Sequence, residues 1–336
     1  MKFNSFPLAQ HLLEWYAVNG REMPWRVRGG AHSDPYAVWI SEIMLQQTTV
    51  KTVRSYFVKW MEKFPTIQSL AEADLQDVLM SWQGLGYYTR AKKIHECARV
   101  LVEKYDGKIP ANRDTLLKLP GIGPYTASSI CCFAFNMPET VVDGNVIRVI
   151  SRLYGLTHAV TKEEIYELAQ QITPTHAGAD YASAIMDLGA MVCITPEPIC
   201  SKCPWSSVCR ACHMGNASQI PLIKKPKRGE RIGIVYLIRN QKGEYFIRIR
   251  PGKGLLSGLY EFPWVYDTDP LLFPKEACRS SVQVSHIFTH FKLTLYFQYV
   301  ECEEKIFPDG VFVCPEDFKK YPFSTLMQKV IKQLKD

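Results

Sequence analysis

A glycine-rich turn followed closely by a capped helix constrains this chain more than any other stretch. Residues 119–149 read LPGIGPYTASSICCFAFNMPETVVDGNVIRV. An apolar Leu119 leads into Pro120-Gly121-Ile122-Gly123, and a helix begins near Tyr125. Gly121 and Gly123 let the backbone turn sharply and leave N–H groups bare. Together with the helix N-terminus that follows, those N–H groups make a seat for a phosphate, whatever the sequence of the DNA that carries it. Asp143 then stands at the expected N-cap of a helix reaching about Tyr154, which sets a carboxylate a short distance from the seat. Taken singly, the Gly-x-Gly is a plain turn and the Asp a plain cap.

The cysteines are the second constraint. Of eleven in the chain, Cys193, Cys200, Cys203, Cys209 and Cys212 crowd into twenty residues. In a reducing compartment such crowding argues for a metal before disulfides. A soluble, unsecreted protein with no membrane partner is expected, because the opening MKFNSFPLAQHLLEWY has neither a continuous apolar run nor a cleavage pattern, and no later run approaches a membrane span. With 336 residues there is room for two domains with real cores, and 47% apolar with 22% charged residues describes ordinary globular composition. The net charge of +7 suits a polyanionic partner without requiring one.

In chain order, Leu8, Leu12, Leu13 and Tyr16 recur at helical spacing between Phe6 and Val18. Arg21 to Arg26 is a loop, since Pro24 cannot continue a helix. Within it Trp25 suits either a core plug or a face on which a base stacks. Asp34-Pro35 opens a helix expected from Tyr36 to about Phe57, on which Val38, Glu42, Leu45 and Thr49 share one face. Glu42 thus lies on an apolar stripe. Burial disfavours its charged form, and a protonated carboxyl is what a general acid needs at neutral pH. Gln46-Gln47-Thr48 forms an uncharged polar patch beyond it, and Gly84-Leu85-Gly86-Tyr87-Tyr88-Thr89-Arg90 reads as a second exposed turn with aromatics. Periods at 68–79 and 91–104 indicate amphipathic helices, and others follow at 161–172 and from Tyr181 to Val192. The first 220 residues are therefore all-α.

At this spacing the hairpin and Asp143 together resemble the helix-hairpin-helix DNA glycosylases, and the likeness to the adenine-specific branch of that superfamily extends over nearly the whole chain. It is carried by residues 21–48, 84–90, 119–149 and 193–209. The resemblance implies a catalytic pair, Glu42 and Asp143, with Tyr125 and Asn145 orienting the carboxylates and the attacking water. It implies Pro24-Trp25-Arg26 at the mouth of an adenine pocket. An enzyme that extrudes a base must fill the hole and hold the estranged partner. Gln47, Thr48, Leu85, Tyr87 and Tyr88 are the candidates for that work, with Gly121 and Gly123 on phosphate.

Cys193, Cys200, Cys203 and Cys209 have the spacing C-x6-C-x2-C-x5-C. Zinc modules compete as a reading, although they usually present two close cysteine pairs. The spacing resembles the 4Fe-4S signature of the endonuclease III and adenine glycosylase families, which implies one such cluster, a structural clip for a segment too loop-rich to bury its own core. Cys212 reads as a bystander. Residues 194–199 carry none of the basic side chains that the family often has between the first two cysteines, so Lys202 and Arg210 are the phosphate candidates there.

After the basic linker Ile223 to Gly229 the periodicity becomes that of strands, at Ile232–Arg239, Tyr245–Arg250, Gln283–Phe288 and Leu293–Val300, with a helix near 324–335. Gly254 to Pro263 looks like the opening turn of a Nudix fold, but no REXXEE-type run follows. The resemblance implies a recognition domain for 8-oxoguanine, with Phe288-Thr289-His290 where the family typically has Phe-Ser-His. Thr keeps the hydroxyl.

The expected architecture is multidomain: an all-α helix-hairpin-helix glycosylase domain with an iron-sulfur module, then an α+β Nudix-like domain. The boundaries are 1–221 for the first, with a six-helix barrel over about 22–136 and the iron-sulfur module from 1–21 plus 137–221; 222–230 for the linker; and 231–336 for the second. The expected substrate is adenine opposite 8-oxoguanine or guanine in double-stranded DNA. The protein is expected to be a monomer, cytoplasmic and nucleoid-associated if bacterial, nuclear if eukaryotic. One rival is an endonuclease III-like glycosylase and lyase for oxidised pyrimidines, but that family has a nucleophilic Lys where this chain has Tyr125. The other is a non-catalytic iron-sulfur DNA-binding protein.

Overall fold

Local capping chemistry sets most of the helix boundaries. The computed structural model describes residues 5–29, 33–222, 228–251, 254–272, 279–301 and 309–334. Helix α1 spans Ser5–Asn19 and α2 spans Pro35–Leu45, its first N–H groups held by the Asp34 carboxylate. Helices α3 (Val50–Lys63), α4 (Ile67–Glu72), α5 (Leu75–Ser81) and α6 (Thr89–Tyr105) follow. The hairpin joins α7 (Arg113–Leu116) to α8 (Pro124–Phe135). Then come α9 (Gly144–Tyr154), α10 (Lys162–Gln170), α11 (Gly178–Met191) and α12 (Arg210–His213).

Two helices that periodicity joins are broken. The helix expected from Tyr36 to Phe57 stops at Leu45, because Gln47 adopts a left-handed φ of 58° and Thr49 caps a new helix by accepting from the Thr52 N–H. Thr49 therefore leaves the face that carries Glu42. The run at 68–79 is likewise divided, with Asp74 capping α5 through the Gln76 N–H. In both cases a Thr or Asp side chain offers the backbone an alternative to continuing.

The chain divides into two compact units, Met1–Glu72 with Glu96–Lys224, and Ala73–His95 with Lys225–Asp336. Ala73–His95, assigned by sequence to the first domain, thus groups with the C-terminal part. Of the expected linker 222–230, residues 223–227 lie outside the described residues. In the first unit α1 packs with α9, α10, α11 and the cysteine segment around Leu12, Ile150, Ile165, Leu188 and Trp205, all essentially buried. The Trp205 indole donates to the Leu8 carbonyl at 2.9 Å.

The second unit is built on a mixed sheet. Its strands are β1 (Gly229–Arg239), β2 (Tyr245–Ile249), β3 (Tyr260–Glu261), β4 (Trp264–Tyr266), β5 (Arg279–Ile287), β6 (Phe291–Glu301) and β7 (Gly310–Val313), in the order β3-β2-β1-β6-β5, with β4 on β1 and β7 on β2. β1 and β6 run parallel, Gly229 opposite Phe291 through Arg239 opposite Glu301. Strands β3, β4 and β7 are absent from the sequence reading because two to four residues are too few to show a period. Helix α13 (Thr325–Gln333), capped by Ser324, covers a core of Leu237, Phe262, Leu295, Phe297 and Val330.

Leu295→Ala removes a fully buried side chain from that core. We expect a loss of about 2–5 kcal/mol in the second unit, read by urea unfolding together with faster amide exchange in β1 and β6.

Candidate active site

Helix α2 is apolar enough to carry Glu42 inward, and the residue is only 7% exposed. Its hydrogen-bond partners are Tyr125 and Ser129, both on α8. Burial, the largest influence, raises the Glu42 pKa to about 7; those two hydrogen bonds and Arg26 act against the shift, and the nearby Asp143 charge adds to it. The Tyr125 hydroxyl is held far above its ordinary range, chiefly by burial and then by the charges of Glu42 and Asp143. Tyr125 therefore stays a neutral hydrogen-bonding group between two carboxyls.

Asp143 is the N-cap of α9. One carboxylate oxygen accepts the Val146 N–H at 2.7 Å and the other accepts the Asn145 side-chain amide at 2.8 Å. The helix N-terminus and both donors are directed at this carboxyl. Asn145 is fixed in turn by Arg148, which donates to the Asn145 amide oxygen at 2.9 Å and to the carbonyls of Gly189 and Cys193 at 2.6 and 2.7 Å. Gly189 is required here, since a Cβ would lie 2.6 Å from the Asn145 Cβ.

These groups open on one cleft of about 1120 Å³, lined also by Trp25, Arg26, Gln47 and Thr48. Trp25 is 7% exposed and meets Phe57 edge-on at 5.2 Å, so it is both a core plug and a wall of the cleft. Gln47 is exposed on the break between α2 and α3, and Thr48 is half-buried there. Asp187, fully buried, holds the loop that carries Trp25. It accepts from the Arg21 backbone and guanidinium at 2.7–2.9 Å and from Arg26 at 2.9 Å. Sequence reasoning missed Asp187, although it is the lone charge between Tyr181 and Val192, a visible signal of a buried and therefore paired group. It also missed Arg148, and Ser129 gave no signal.

The hairpin has the expected form. Gly121 takes a φ of 77°, Gly123 is the N-cap of α8, and nothing lies within 4 Å of where a Gly123 Cβ would be. The backbone there is open to a ligand.

In the second unit, the turn at 84–90 is less exposed than the sequence suggests. Leu85 and Tyr88 are each 5% exposed, while Tyr87, at a φ of 48°, is 48% exposed. An apolar side chain at a turn folds beneath it when a neighbour offers cover, and the Tyr88 hydroxyl donates to the Phe323 carbonyl at 3.3 Å. Phe288, Thr289 and His290 form the connection from β5 to β6, with Thr289 and His290 exposed. The Tyr87 and Thr289 hydroxyls share a hydrogen bond of 2.8 Å, which joins the two predicted recognition segments. Glu261, 2% exposed, is taken up by Arg248 and Arg250 at 3.3 and 2.8 Å.

Cys193, Cys200, Cys203 and Cys209 border one small cavity. Among the described residues no three Cys, His, Asp or Glu side chains converge closely enough to hold a metal ion. Burial, then the neighbouring sulfurs, pushes the Cys200 thiol up to about 11; burial pushes Cys203 to about 12. Arg152, 1% exposed, also lines the cavity and donates to the Ile220 and Ile194 carbonyls at 2.8 Å and to the Cys193 sulfur at 3.4 Å. Its Nη2 is buried and has no partner. A buried guanidinium left short of one acceptor fits an anionic group in the cavity. Cys212, read from sequence as a bystander, borders the same cavity and hydrogen-bonds Cys200.

Residues 40–175 match the model of the HhH-GPD superfamily of base excision DNA repair proteins, and residues 234–333 match a NUDIX domain. The chain is 33% identical to the adenine DNA glycosylase of Rattus norvegicus over 96% of its own length and 77% of the relative's. It is 34% identical to that of Homo sapiens, over 96% and 72%. A solved endonuclease III in non-covalent complex with DNA superposes with a TM-score of 0.53 at 25% identity, covering 63% of this chain and 98% of that one.

The Glu42 shift has a consequence for stability. From its ordinary 4.5 up to about 7, the folded chain keeps a proton that the unfolded chain has released. Stability attributable to this group therefore falls as pH rises through that window and is level above it. We expect Glu42→Gln, a neutral isostere, to gain on the wild type between pH ~5 and ~7, by at most about 3 kcal/mol. Thermal unfolding at both ends of the window reads it, and an advantage equal at the two ends would contradict a buried, protonated Glu42.

Proposed function

This chain belongs to the adenine DNA glycosylase family, and from that premise we propose that Glu42 and Asp143 divide the hydrolysis of the N-glycosidic bond between them. The chain is a base excision repair enzyme that removes adenine. The observation that carries the division of labour is the contrast between two carboxyls on one cleft. Glu42 is buried on an apolar helix with its pKa near 7, and Asp143 is capped by two N–H donors at a helix start.

Adenine leaves poorly as an anion, so the extruded base needs a proton, supplied at N7 by neutral Glu42. As the C–N bond breaks, the sugar gains oxocarbenium character and anionic Asp143 stabilises it or bonds to it until water attacks. Tyr125 and Asn145 hold the two carboxyls in place. Trp25 and Arg26 wall the adenine side of the cleft; Gln47 and Thr48 lie on its rim, suited to the strand that has lost its base. Tyr125 offers a hydroxyl where a lyase has an amine, so no Schiff base forms and the product is an intact abasic site.

DNA binding through the hairpin is supported by the open backbone at Gly123 and by the likeness to an endonuclease III solved with DNA. Recognition of 8-oxoguanine by Phe288, Thr289 and His290 is supported by the Thr289 to Tyr87 hydrogen bond, which brings the two segments proposed to contact the estranged base into one unit. The Nudix-like domain serves recognition, not hydrolysis, in keeping with a Glu261 fully engaged by arginines.

The cysteine site is proposed to hold one 4Fe-4S cluster on Cys193, Cys200, Cys203 and Cys209. Support comes from the all-sulfur donor set around one cavity and from the buried, unpartnered Nη2 of Arg152, a residue that lines it. There the cluster would cross-link a segment whose Cys193 carbonyl accepts from Arg148, the α9 residue that also holds Asn145, and with it Asp143.

Two outcomes test the reading. Glu42→Gln and Asp143→Asn should each bind mispaired duplex with near wild-type affinity while single-turnover excision falls by about a hundredfold or more, roughly 3 kcal/mol in barrier. An Asp143→Asn rate above about a tenth of wild type would reduce Asp143 to a cap. For recognition a point substitution is preferable to deletion from residue 229, which would strip Tyr88 and Gln83 of their partner at Phe323. Thr289→Val should lower the preference for 8-oxoguanine:A over G:A by roughly fivefold, the value of one hydrogen bond. Equal losses on both substrates would assign Thr289 to general binding.

A further inference from the structure

We infer that Cys212 is a reserve sulfur ligand of the cysteine site, placed to take over from Cys200. The inference rests on the reading of that site as an iron-sulfur site. Cys212 sits on α12, one turn beyond Cys209, and its backbone N–H donates to the Cys209 sulfur. Its own sulfur borders the cavity shared by the four other cysteines and lies within hydrogen-bonding reach of Cys200. A bystander thiol on a short surface helix would face solvent or pack among apolar side chains. This one instead completes a second C-x2-C pair, Cys209 and Cys212, opposite Cys200 and Cys203. Independently, the buried and unpartnered Nη2 of Arg152 on the same cavity marks it as a place where negative charge is held.

The exchange needs no redox partner. With a cluster in place, Cys200 would be the bound thiolate and Cys212 the thiol. A change of ligand from Cys200 to Cys212 would then require the Cys212 proton to move to Cys200, along the hydrogen bond that already joins the two sulfurs. One iron–sulfur bond breaks and one forms, one proton changes sulfur, and net charge and electron count are unchanged. Cys200 suits the outgoing role because it is half-buried on a short 3-10 turn, Cys200–Lys202, whereas Cys193 is held by Arg152. The sulfurs that act on Cys203 are those of Cys193, Cys200 and Cys209, the other three proposed ligands.

The test uses the full chain purified anaerobically, as wild type and as Cys200→Ser, Cys212→Ser, Cys203→Ser and the Cys200→Ser/Cys212→Ser double variant, with iron, acid-labile sulfide and zinc measured per chain. Cys200→Ser and Cys212→Ser should each hold iron within about twofold of wild type, and the double variant and Cys203→Ser should lose it by roughly tenfold. A Cys200→Ser protein as poor in iron as the double variant would overturn the proposal, as would a double variant as rich as Cys200→Ser. Thiol alkylation read by mass spectrometry gives a second measure that does not depend on the double variant folding. Cys212 should label readily in the wild type and become protected in Cys200→Ser until iron is chelated away; unchanged labelling would also overturn it. Failure of the underlying reading looks different. Zinc at one per chain in the wild type, kept by Cys193→Ser and lost by Cys212→Ser, would assign Cys200, Cys203, Cys209 and Cys212 to a zinc site.

Discussion

The burial of a carboxyl on α2 is the constraint around which the first unit is arranged. An ionised Glu42 at 7% exposure would carry a large desolvation cost, so the group is held near neutrality and given hydrogen-bond partners from α8. The α2 and α8 contact is therefore a chemical requirement as well as a packing one. Asp143 lies close enough for its charge to be felt at Glu42, yet a helix start and an asparagine amide surround it with donors. The two carboxyls thus sit in contrasting surroundings, one buried on an apolar helix face and the other among donors at a helix start.

Three buried or half-buried charges keep that arrangement rigid. Asp187 gathers Arg21 and Arg26 and so fixes the loop bearing Trp25. Arg148 ties Asn145 to the carbonyls of Gly189 and Cys193, and Arg152 ties α9 to Ile194, Ile220 and the Cys193 sulfur. Both arginines rise from α9, the helix that Asp143 caps. The cysteine segment and Asp143 are thus tied to one helix, and Arg148 links the Cys193 carbonyl to Asn145, which holds Asp143. Replacing such a group leaves its partners buried and unpaired, so these positions should tolerate little change.

The second unit has a different logic. Its sheet supplies an ordinary apolar core, and its polar specificity is concentrated where Ala73–His95 meets the C-terminal strands. Gln83 and Tyr88 both donate to the Phe323 carbonyl, Lys92 donates to Ser257, and Tyr87 bonds Thr289. A turn that belongs by sequence to the helical domain is thus held by the strand domain.

The sequence by itself determined what is encoded within a few residues. The caps at Asp34 and Asp143, the Gly121 and Gly123 turn, the inward placing of Glu42, the strands β1, β2, β5 and β6 and the crowding of cysteines were all legible, because periodicity, capping and turn chemistry act locally. The break at Gln46–Thr49 was missed because a Thr cap and a helical period compete over the same few residues. Tertiary structure alone decided which distant groups meet. Asp187 finds Arg21 and Arg26 more than 160 residues away, Tyr125 and Ser129 reach Glu42 from α8, Arg148 finds Cys193, and Cys212 comes to rest beside Cys200. A buried charge or thiol must be paired, and nothing in its own neighbourhood of the chain says with what; the partner is settled only when packing brings separate elements together.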